Sequence, residues 1–201
     1  WQKSDGTFVS PEEFIPLFES SGFITRFDMY IWKSVCKTLA AWQDKGCKLV
    51  PISINVSMID ITNIDVPQYL SMLTEQYHIS PEYLPVEITE SVFAESNTIV
   101  KNTITRFHKK GFYVLMDDFG SGYSSLNVLK DANVDYLKLD MKFMQIDAKN
   151  KGKGIQILKS IVDMAYRLGL VIIAEGVETK EQSEILKSMN CNYGQGFYFH
   201  R

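Results

Sequence analysis

Two adjacent carboxylates, Asp117 and Asp118, end an apolar run in the segment VLMDDFGSGYSSL at residues 114–126. Neighbouring side chains of an ideal strand point to opposite faces, but we expect the turn at Gly120 to bring both carboxylates to one side. One of them could then bridge two cations. Such a pair before a glycine is also common as an Asx turn or a helix cap, so by itself it leaves function and local structure as alternatives.

Polar side chains near the ends of four other predicted strands favour the functional interpretation. Alternation along each strand directs the apolar residues outward, towards a helix layer, and the intervening polar residues inward. The inward residues are Asn55, Glu87, Lys138, Asp140 and Glu175. Glu90 lies just beyond the end of its strand and is expected to support them. Charged groups buried without partners cost on the order of several kcal/mol each, so a counter-charge is required.

The types of these side chains indicate which ion supplies that charge. Asp, Glu and Asn offer hard oxygen ligands, and the three histidines are scattered at positions 78, 108 and 200, so Mg²⁺ or Mn²⁺ is favoured over zinc. Two such ions about 4 Å apart suit phosphodiester hydrolysis, because they activate water and stabilise the leaving oxygen. Proton abstraction of the enolase type, with strand-end carboxylates on Mg²⁺ and a lysine base, is the alternative. The tandem aspartates favour the two-metal site.

Six short apolar runs rich in β-branched residues are predicted to be the strands that position this cluster. They cover residues 49–57, 84–91, 113–119, 135–140, 170–178 and 194–199. Helical patterns with capping residues are predicted at residues 10–22, 25–46, 65–77, 96–110, 154–168 and from 179 onward. The predicted apolar face of the second helix consists of Phe27, Ile31, Val35, Leu39 and Trp42. Strands that alternate with helices predict a parallel sheet covered by helices.

The number of predicted strands leaves two α/β folds to consider. A doubly wound open sheet that binds a nucleotide is disfavoured, because GSGYSS at residues 120–125 does not match the phosphate-binding pattern GxGxxG. A (β/α)8 barrel of the TIM type needs eight strands and about 250 residues. We therefore predict such a barrel, and we expect its first one or two strands to precede Trp1, where the sequence begins without Met.

The composition is typical of one globular domain with a substantial core, since 45% of the 201 residues are hydrophobic and the net charge is -3. The near-neutral charge disfavours DNA binding and membrane contact by this domain. Cys36, Cys47 and Cys191 form no CxxC pattern, which disfavours a disulfide framework and indicates a reducing, cytoplasmic location.

The segments that carry the polar residues follow one another in a recognisable order. They are DGTFVSPEEFIPLFESSGFI, SINVS, VEITES, MDDFGSGYSSL, VDYLKLD, IIAEGVET and YGQGFYFHR. With these segments the chain closely resembles the EAL-domain family of phosphodiesterases, which hydrolyse cyclic di-GMP to linear pGpG in bacterial second-messenger signalling. The resemblance covers residues 1–201 and implies a (β/α)8 barrel whose first strand runs antiparallel to the others, with two Mg²⁺ or Mn²⁺ ions bound.

The resemblance also implies a role for each polar residue. The implied metal ligands are Asn55, Glu87, Asp117 and Asp118, with Asp117 bridging the two ions. Lys138 and Glu175 would orient or deprotonate the attacking water, with Lys138 as an electrostatic guide unless its pKa is strongly lowered. Gln195 would contact the substrate. Glu90 would hold the loop at residues 119–125 against the metal site, and Asp140 would be a second supporting residue.

Two features depart from the family pattern. The Glu-Ala-Leu motif, whose glutamate is a further metal ligand, is expected before Trp1, and Met141-Lys142 stand where many relatives have Arg-Ser. The ligand positions within the chain are intact, which favours an active phosphodiesterase over the alternative, a cyclic di-GMP receptor without catalytic activity. The implied partners are cyclic di-GMP, a second copy of the chain in a homodimer, and sensory or GGDEF domains fused to this one. A membrane anchor elsewhere in the full-length protein stays open.

Overall fold

A computed structural model of the chain describes residues 1–94, 98–120, 126–140, 151–191 and 193–200. Met141 and Lys142, and residues 121–125 of the predicted loop, lie outside the described residues. The chain forms two compact units, Trp1–Pro85 and Val86–Arg201. The described ranges contain both helices and parallel strands, as the predicted α/β class requires.

The first unit consists mainly of helices. Its elements are α1 (Pro11–Ser20), α2 (Ile24–Asp44), β1 (Ile54–Asn55), α3 (Met58–Asn63) and α4 (Val66–Gln76). The side chains of Ser10, Ser57 and Asp65 each accept a hydrogen bond from a backbone N–H in the first turn of the helix that follows. The helices predicted at residues 10–22 and 65–77 are confirmed. Helix α3 was not predicted, because its 6 residues are too few to show a periodic pattern.

The buried face of α2 differs from the predicted one. Trp32 is 1% exposed, and Cys36 and Leu39 are fully buried at spacings of four and three residues. Ile31, from the predicted face, is 36% exposed. The indole N–H of Trp32 donates to the carbonyl oxygen of Asn55 at 2.9 Å, which ties the buried face to β1. The prediction is confirmed for Leu39 and wrong for Ile31, because large apolar residues occur on more than one side of this helix.

A buried carboxyl group, Asp60, and a half-buried one, Asp28, interact in the first unit. Asp60 is fully buried, and its Oδ2 accepts hydrogen bonds from the backbone N–H and the hydroxyl of Ser57 at 2.9 and 2.7 Å. Its Oδ1 faces no hydrogen-bond donor among the described residues. Burial, together with the charge and the hydrogen bond of Asp60, raises the pKa of the Asp28 carboxyl to about 8. The raised pKa favours the protonated form of the Asp28 carboxyl near neutral pH.

The described residues of the second unit form five parallel strands. They are β2 (Val86–Thr89), β3 (Val114–Phe119), β4 (Tyr136–Asp140), β5 (Val171–Glu175) and β6 (Tyr193–Gly194), and each pairs with the next in chain order. The helices are α5 (Glu90–Ala94), α6 (Thr98–Lys109), α7 (Leu126–Asp131), α8 (Lys151–Arg167) and α9 (Lys180–Ser188). Fully buried apolar residues on successive strands, such as Ile88, Met116, Leu137 and Ala174, form the core. Parallel pairing places the carboxyl ends of the strands at one edge.

A β-bulge lies in β3 at the tandem aspartates. Between two paired positions β3 advances from Met116 to Phe119, whereas β4 advances only from Leu137 to Leu139. The extra residue of β3 changes the alternation of its side chains, and Asp118 has a positive φ of 57°. The backbone thus changes direction at Asp118 itself. The prediction that the turn at Gly120 reorients the carboxylates was wrong by two residues.

The last predicted strand is shorter than its sequence pattern indicates. Strand β6 ends at Gly194, and the predicted strand residues that follow form a turn in which the Phe199 N–H donates to the Gly196 carbonyl at 3.0 Å. Gly196 has a positive φ of 151°, and a Cβ there would overlap the backbone of Val177. The aromatic residues suggested a strand, but this close approach of two backbones ends it.

Candidate metal and catalytic site

Lys138 is the centre of a cluster of charged side chains in the second unit. It lies on β4 and is 5% exposed. Its Nζ lies 2.8 Å from Glu87 Oε2, 3.1 Å from Asp117 Oδ1 and 2.7 Å from Glu175 Oε1. These carboxylates belong to β2, β3 and β5, so the parallel pairing of four strands brings the cluster together. The alternation predicted from the sequence placed Glu87, Lys138 and Glu175 on the same face, whereas Asp117 was expected there because of the turn at Gly120.

The neighbours of Lys138 determine its charge. Burial alone would lower its pKa, but hydrogen bonds to Glu175 and Glu87 and the charge of Asp117 outweigh burial and raise the pKa above its ordinary value. Lys138 is therefore an ammonium ion at neutral pH and a poor base. Burial raises the pKa of the Glu175 carboxyl, while Lys138 acts in the opposite direction and leaves a net increase.

A second set of carboxylates overlaps with the first. One oxygen each from Asp117, Asp118 and Glu175 can be chosen so that all of them lie within 4.8 Å of one another. The backbone N–H of Asp118 also donates to Asp117 Oδ1 at 2.9 Å. Carboxylate oxygens at such distances are the donor set that Mg²⁺ or Mn²⁺ prefers, so the residues present fit a hard divalent ion.

Glu90 begins α5 and is 6% exposed. Its Oε2 accepts a hydrogen bond from the backbone N–H of Gly120 at 3.0 Å. Gly120 is the first residue after β3, so Glu90 fixes the point at which the chain leaves the two aspartates. The sequence placed Glu90 beyond the end of its strand, and the structure agrees.

Gln195 lies directly after β6 and contacts the charged cluster. Its side-chain N–H donates to Glu175 Oε1. Its backbone is held on both sides, because its N–H donates to the Ala174 carbonyl at 2.8 Å and its carbonyl accepts from the Val177 N–H at 3.0 Å. The contact with Glu175 was not predicted from the sequence. The close packing of Gly196 against Val177 supports this position of Gln195. The two glycines of GQG are the sequence signal that could have indicated a close backbone approach here.

The structure locates two further predicted site residues by the strands that they end. Asn55 ends β1 in the first unit, and its backbone carbonyl accepts from the Trp32 indole N–H. Asp140 ends β4 and is paired in register with Glu175. The roles of Asn55 as a ligand and of Asp140 as a supporting residue stay predictions. The buried pair of Asp28 and Asp60 was missed, because neither residue lies at the end of a predicted strand.

The model of one protein family, the EAL domain, matches residues 1–201. The chain belongs to the EAL domain family. It is 34% identical over 200 residues to a probable cyclic di-GMP phosphodiesterase, PdeB, of Escherichia coli. The aligned region covers 99% of this chain and 37% of the relative. It is 32% identical over 201 residues to the cyclic di-GMP phosphodiesterase PdeR of the same organism, with 99% and 30% covered. This EAL domain thus spans well under half the length of these larger relatives.

This EAL domain is similar over the whole of its own length to a solved structure described as the PaMucR phosphodiesterase in complex with cyclic di-GMP. The TM-score is 0.90 at 28% identity, with 100% of this chain and 81% of that chain covered. The predicted fold class, an α/β fold of the TIM-barrel type, is thereby confirmed. Among the described residues, no helix combines the length and the apolar character needed to cross a bilayer.

Proposed function

We propose that this EAL domain hydrolyses cyclic di-GMP to linear pGpG with the help of Mg²⁺ or Mn²⁺. The observation that carries the proposal is the convergence of Glu87, Asp117 and Glu175 on Lys138 beside Asp118. The names of PdeB and PdeR and the ligand of the PaMucR structure support the choice of substrate.

Glu87, Asp117 and Asp118 would hold the ions. Asn55 is proposed as a further ligand because it matches the family pattern. When bound, the ions supply positive charge that activates water and stabilises the leaving oxygen. The carboxylates supply the hard oxygen donors, and the bulge at Asp118 gives two of them access from adjacent positions of one strand.

Glu175 and Lys138 are proposed to act on the attacking water and on the phosphate. Glu175, whose raised pKa makes it a better base than an ordinary carboxylate, takes the proton that the water loses. The water oxygen forms the bond to phosphorus while the bond from phosphorus to the 3′ oxygen breaks, which leaves a 5′ phosphate on pGpG. The leaving oxygen takes a proton from solvent. The Lys138 ammonium orients the water and attracts the negative phosphate.

Gln195 and Glu90 are proposed to support this chemistry. Gln195 contacts the substrate, and its hydrogen bond holds Glu175 in the orientation needed to accept a proton. Glu90 holds the chain after β3 through the Gly120 N–H. We also propose that the protein is cytoplasmic at this domain, that it acts as a homodimer, and that sensory or GGDEF domains accompany it.

The test is the conversion of cyclic di-GMP to pGpG by the full-length protein, followed by chromatography with Mg²⁺, with Mn²⁺ and with EDTA. Asp117→Asn removes one negative charge from the proposed ion ligands, and Asp163→Asn makes the same change at an exposed position on α8. We expect turnover by the wild type and by the Asp163 variant and none in EDTA or by the Asp117 variant. Binding of cyclic di-GMP without turnover in all samples would show that the domain is a receptor and not an enzyme.

A further inference from the structure

The Lys138 ammonium and the proposed divalent ions draw on the same side chains. Lys138 Nζ contacts Glu87, Asp117 and Glu175 at 3.1 Å or less. Asp117 and Glu175 also belong to the set of oxygens that lie within 4.8 Å of one another, and Glu87 is a proposed ligand. An oxygen that accepts a hydrogen bond from an ammonium has less electron density to offer a second cation, and the two positive charges repel each other.

The burial of these groups makes one cation necessary before any ion binds. Glu87 is 8% exposed and Lys138 is 5% exposed, so water cannot solvate their charges well. A buried carboxylate without a partner destabilises the folded chain, and three of them repel one another in addition. The ammonium is the one positive group that the described residues place in direct contact with all of these carboxylates.

We propose that Lys138 is a built-in cation that holds the ligand carboxylates in place in the ion-free protein and competes with the divalent ion for them. This inference rests on the metal site of the proposed function. It gives Lys138 a positioning role that is separate from any action on the substrate. It also predicts that removal of the lysine has opposite effects on the ion-free fold and on ion affinity.

The experiment replaces the ammonium with an apolar side chain of similar length. Lys138→Met is compared with the wild type and with Lys159→Met, which makes the same change at an exposed position on α8. Calorimetric titration of the full-length protein with Mn²⁺ gives the ion affinity. Thermal unfolding followed by circular dichroism, in EDTA and in saturating Mn²⁺, gives the stability of each state.

We expect Lys138→Met to melt at a lower temperature than the wild type in EDTA, to bind Mn²⁺ about tenfold more tightly, and to gain more from Mn²⁺ in melting temperature. The Lys159 variant should match the wild type in all three measurements. A purely structural lysine would lower the melting temperature without tightening Mn²⁺ binding. Unchanged or weaker Mn²⁺ binding by Lys138→Met would therefore overturn the inference and leave the proposed function intact.

Two further outcomes are also decisive. If neither the wild type nor Lys138→Met binds Mn²⁺ or Mg²⁺, the metal site of the proposed function fails and this inference fails with it. If Lys138→Met is unfolded in EDTA, Mn²⁺ should restore its fold, because the ion takes the place of the lost ammonium. A variant that stays unfolded at Mn²⁺ concentrations that saturate the wild type would contradict the competition.

Discussion

The two compact units each bury carboxyl groups, and they compensate them in different ways. In the second unit, Glu87, Asp117 and Glu175 surround the ammonium of Lys138. In the first unit, Asp28 and Asp60 interact with each other, and a raised pKa of about 8 keeps a proton on Asp28. A proton is enough to compensate two carboxyl groups that only connect α2 and α3. Carboxylates that are proposed to receive metal ions need to stay ionised, which a cation ensures and a proton would prevent.

The largest difference between the two regions should appear in catalysis. Asp117→Asn is expected to lower the turnover of cyclic di-GMP about a thousandfold, because it removes charge from the proposed bridging ligand. Asp28→Asn, which resembles the protonated form of Asp28, should leave turnover within about threefold of the wild type. The rate of pGpG formation at saturating substrate measures both effects. Near-normal turnover by the Asp117 variant would remove the functional contrast between the two clusters.

The hydrogen bond from Gln195 to Glu175 can be tested without changing either residue. Gly196→Ala places a methyl group against the Val177 backbone, so the turn that carries Gln195 must shift. We expect a loss of about 1–3 kcal/mol in the free energy of unfolding and a fall of about tenfold in kcat. Gly152→Ala is the control, because a methyl group there meets no atom within 4 Å. Unchanged kcat in the Gly196 variant would show that the position of Gln195 does not matter for Glu175.

The proton in the first unit predicts a dependence of stability on pH. Folded Asp28 keeps its proton up to a pKa of about 8, whereas in the unfolded chain it releases the proton near its ordinary value of 3.8. Between these values the folded state binds more protons, so the free energy of unfolding falls as the pH rises. Asp28→Asn should reduce this pH-dependent decrease in the free energy of unfolding by on the order of 1–2 kcal/mol.

Urea unfolding of the wild type and Asp28→Asn at about pH 5 and about pH 8 measures this slope. Asp44→Asn, at an exposed position at the end of α2, is the matched control and should keep the slope of the wild type. Equal slopes in the wild type and the Asp28 variant would mean that the buried pair does not hold a proton.

The smallest effect concerns the support of the metal site. Glu90→Ala removes the acceptor of the Gly120 N–H and frees the chain directly after the two aspartates. We expect the Mg²⁺ concentration for half-maximal turnover to rise about threefold, with a smaller change in the maximal rate. Glu82→Ala, which lies in the first unit outside the proposed site, serves as the comparison. An unchanged Mg²⁺ requirement in Glu90→Ala would restrict Glu90 to a role in folding.

The alternation of side chains correctly predicted which residues of the proposed site share a face. Glu87, Lys138 and Glu175 follow a strict two-residue period in regular strands, so their shared face could be derived from the sequence. The bulge at Asp118 could not be derived, because an extra residue in one strand is defined only by its pairing with another. The buried face of α2 depends in the same way on what packs against it. Periodicity thus predicts local elements well, whereas contacts between elements decide the register and the buried face.

The bulge in β3 has a consequence for how this chain can change in evolution. Because β3 carries one residue more between Met116 and Phe119 than β4 carries between Leu137 and Leu139, the loss of a single codon in this segment would restore a regular pairing. The remaining strand would then turn only one of two successive side chains towards Glu175. A single in-frame deletion would thereby convert a strand end suited to two cations into an ordinary strand end, and the flanking hydrophobic pairs would stay in place.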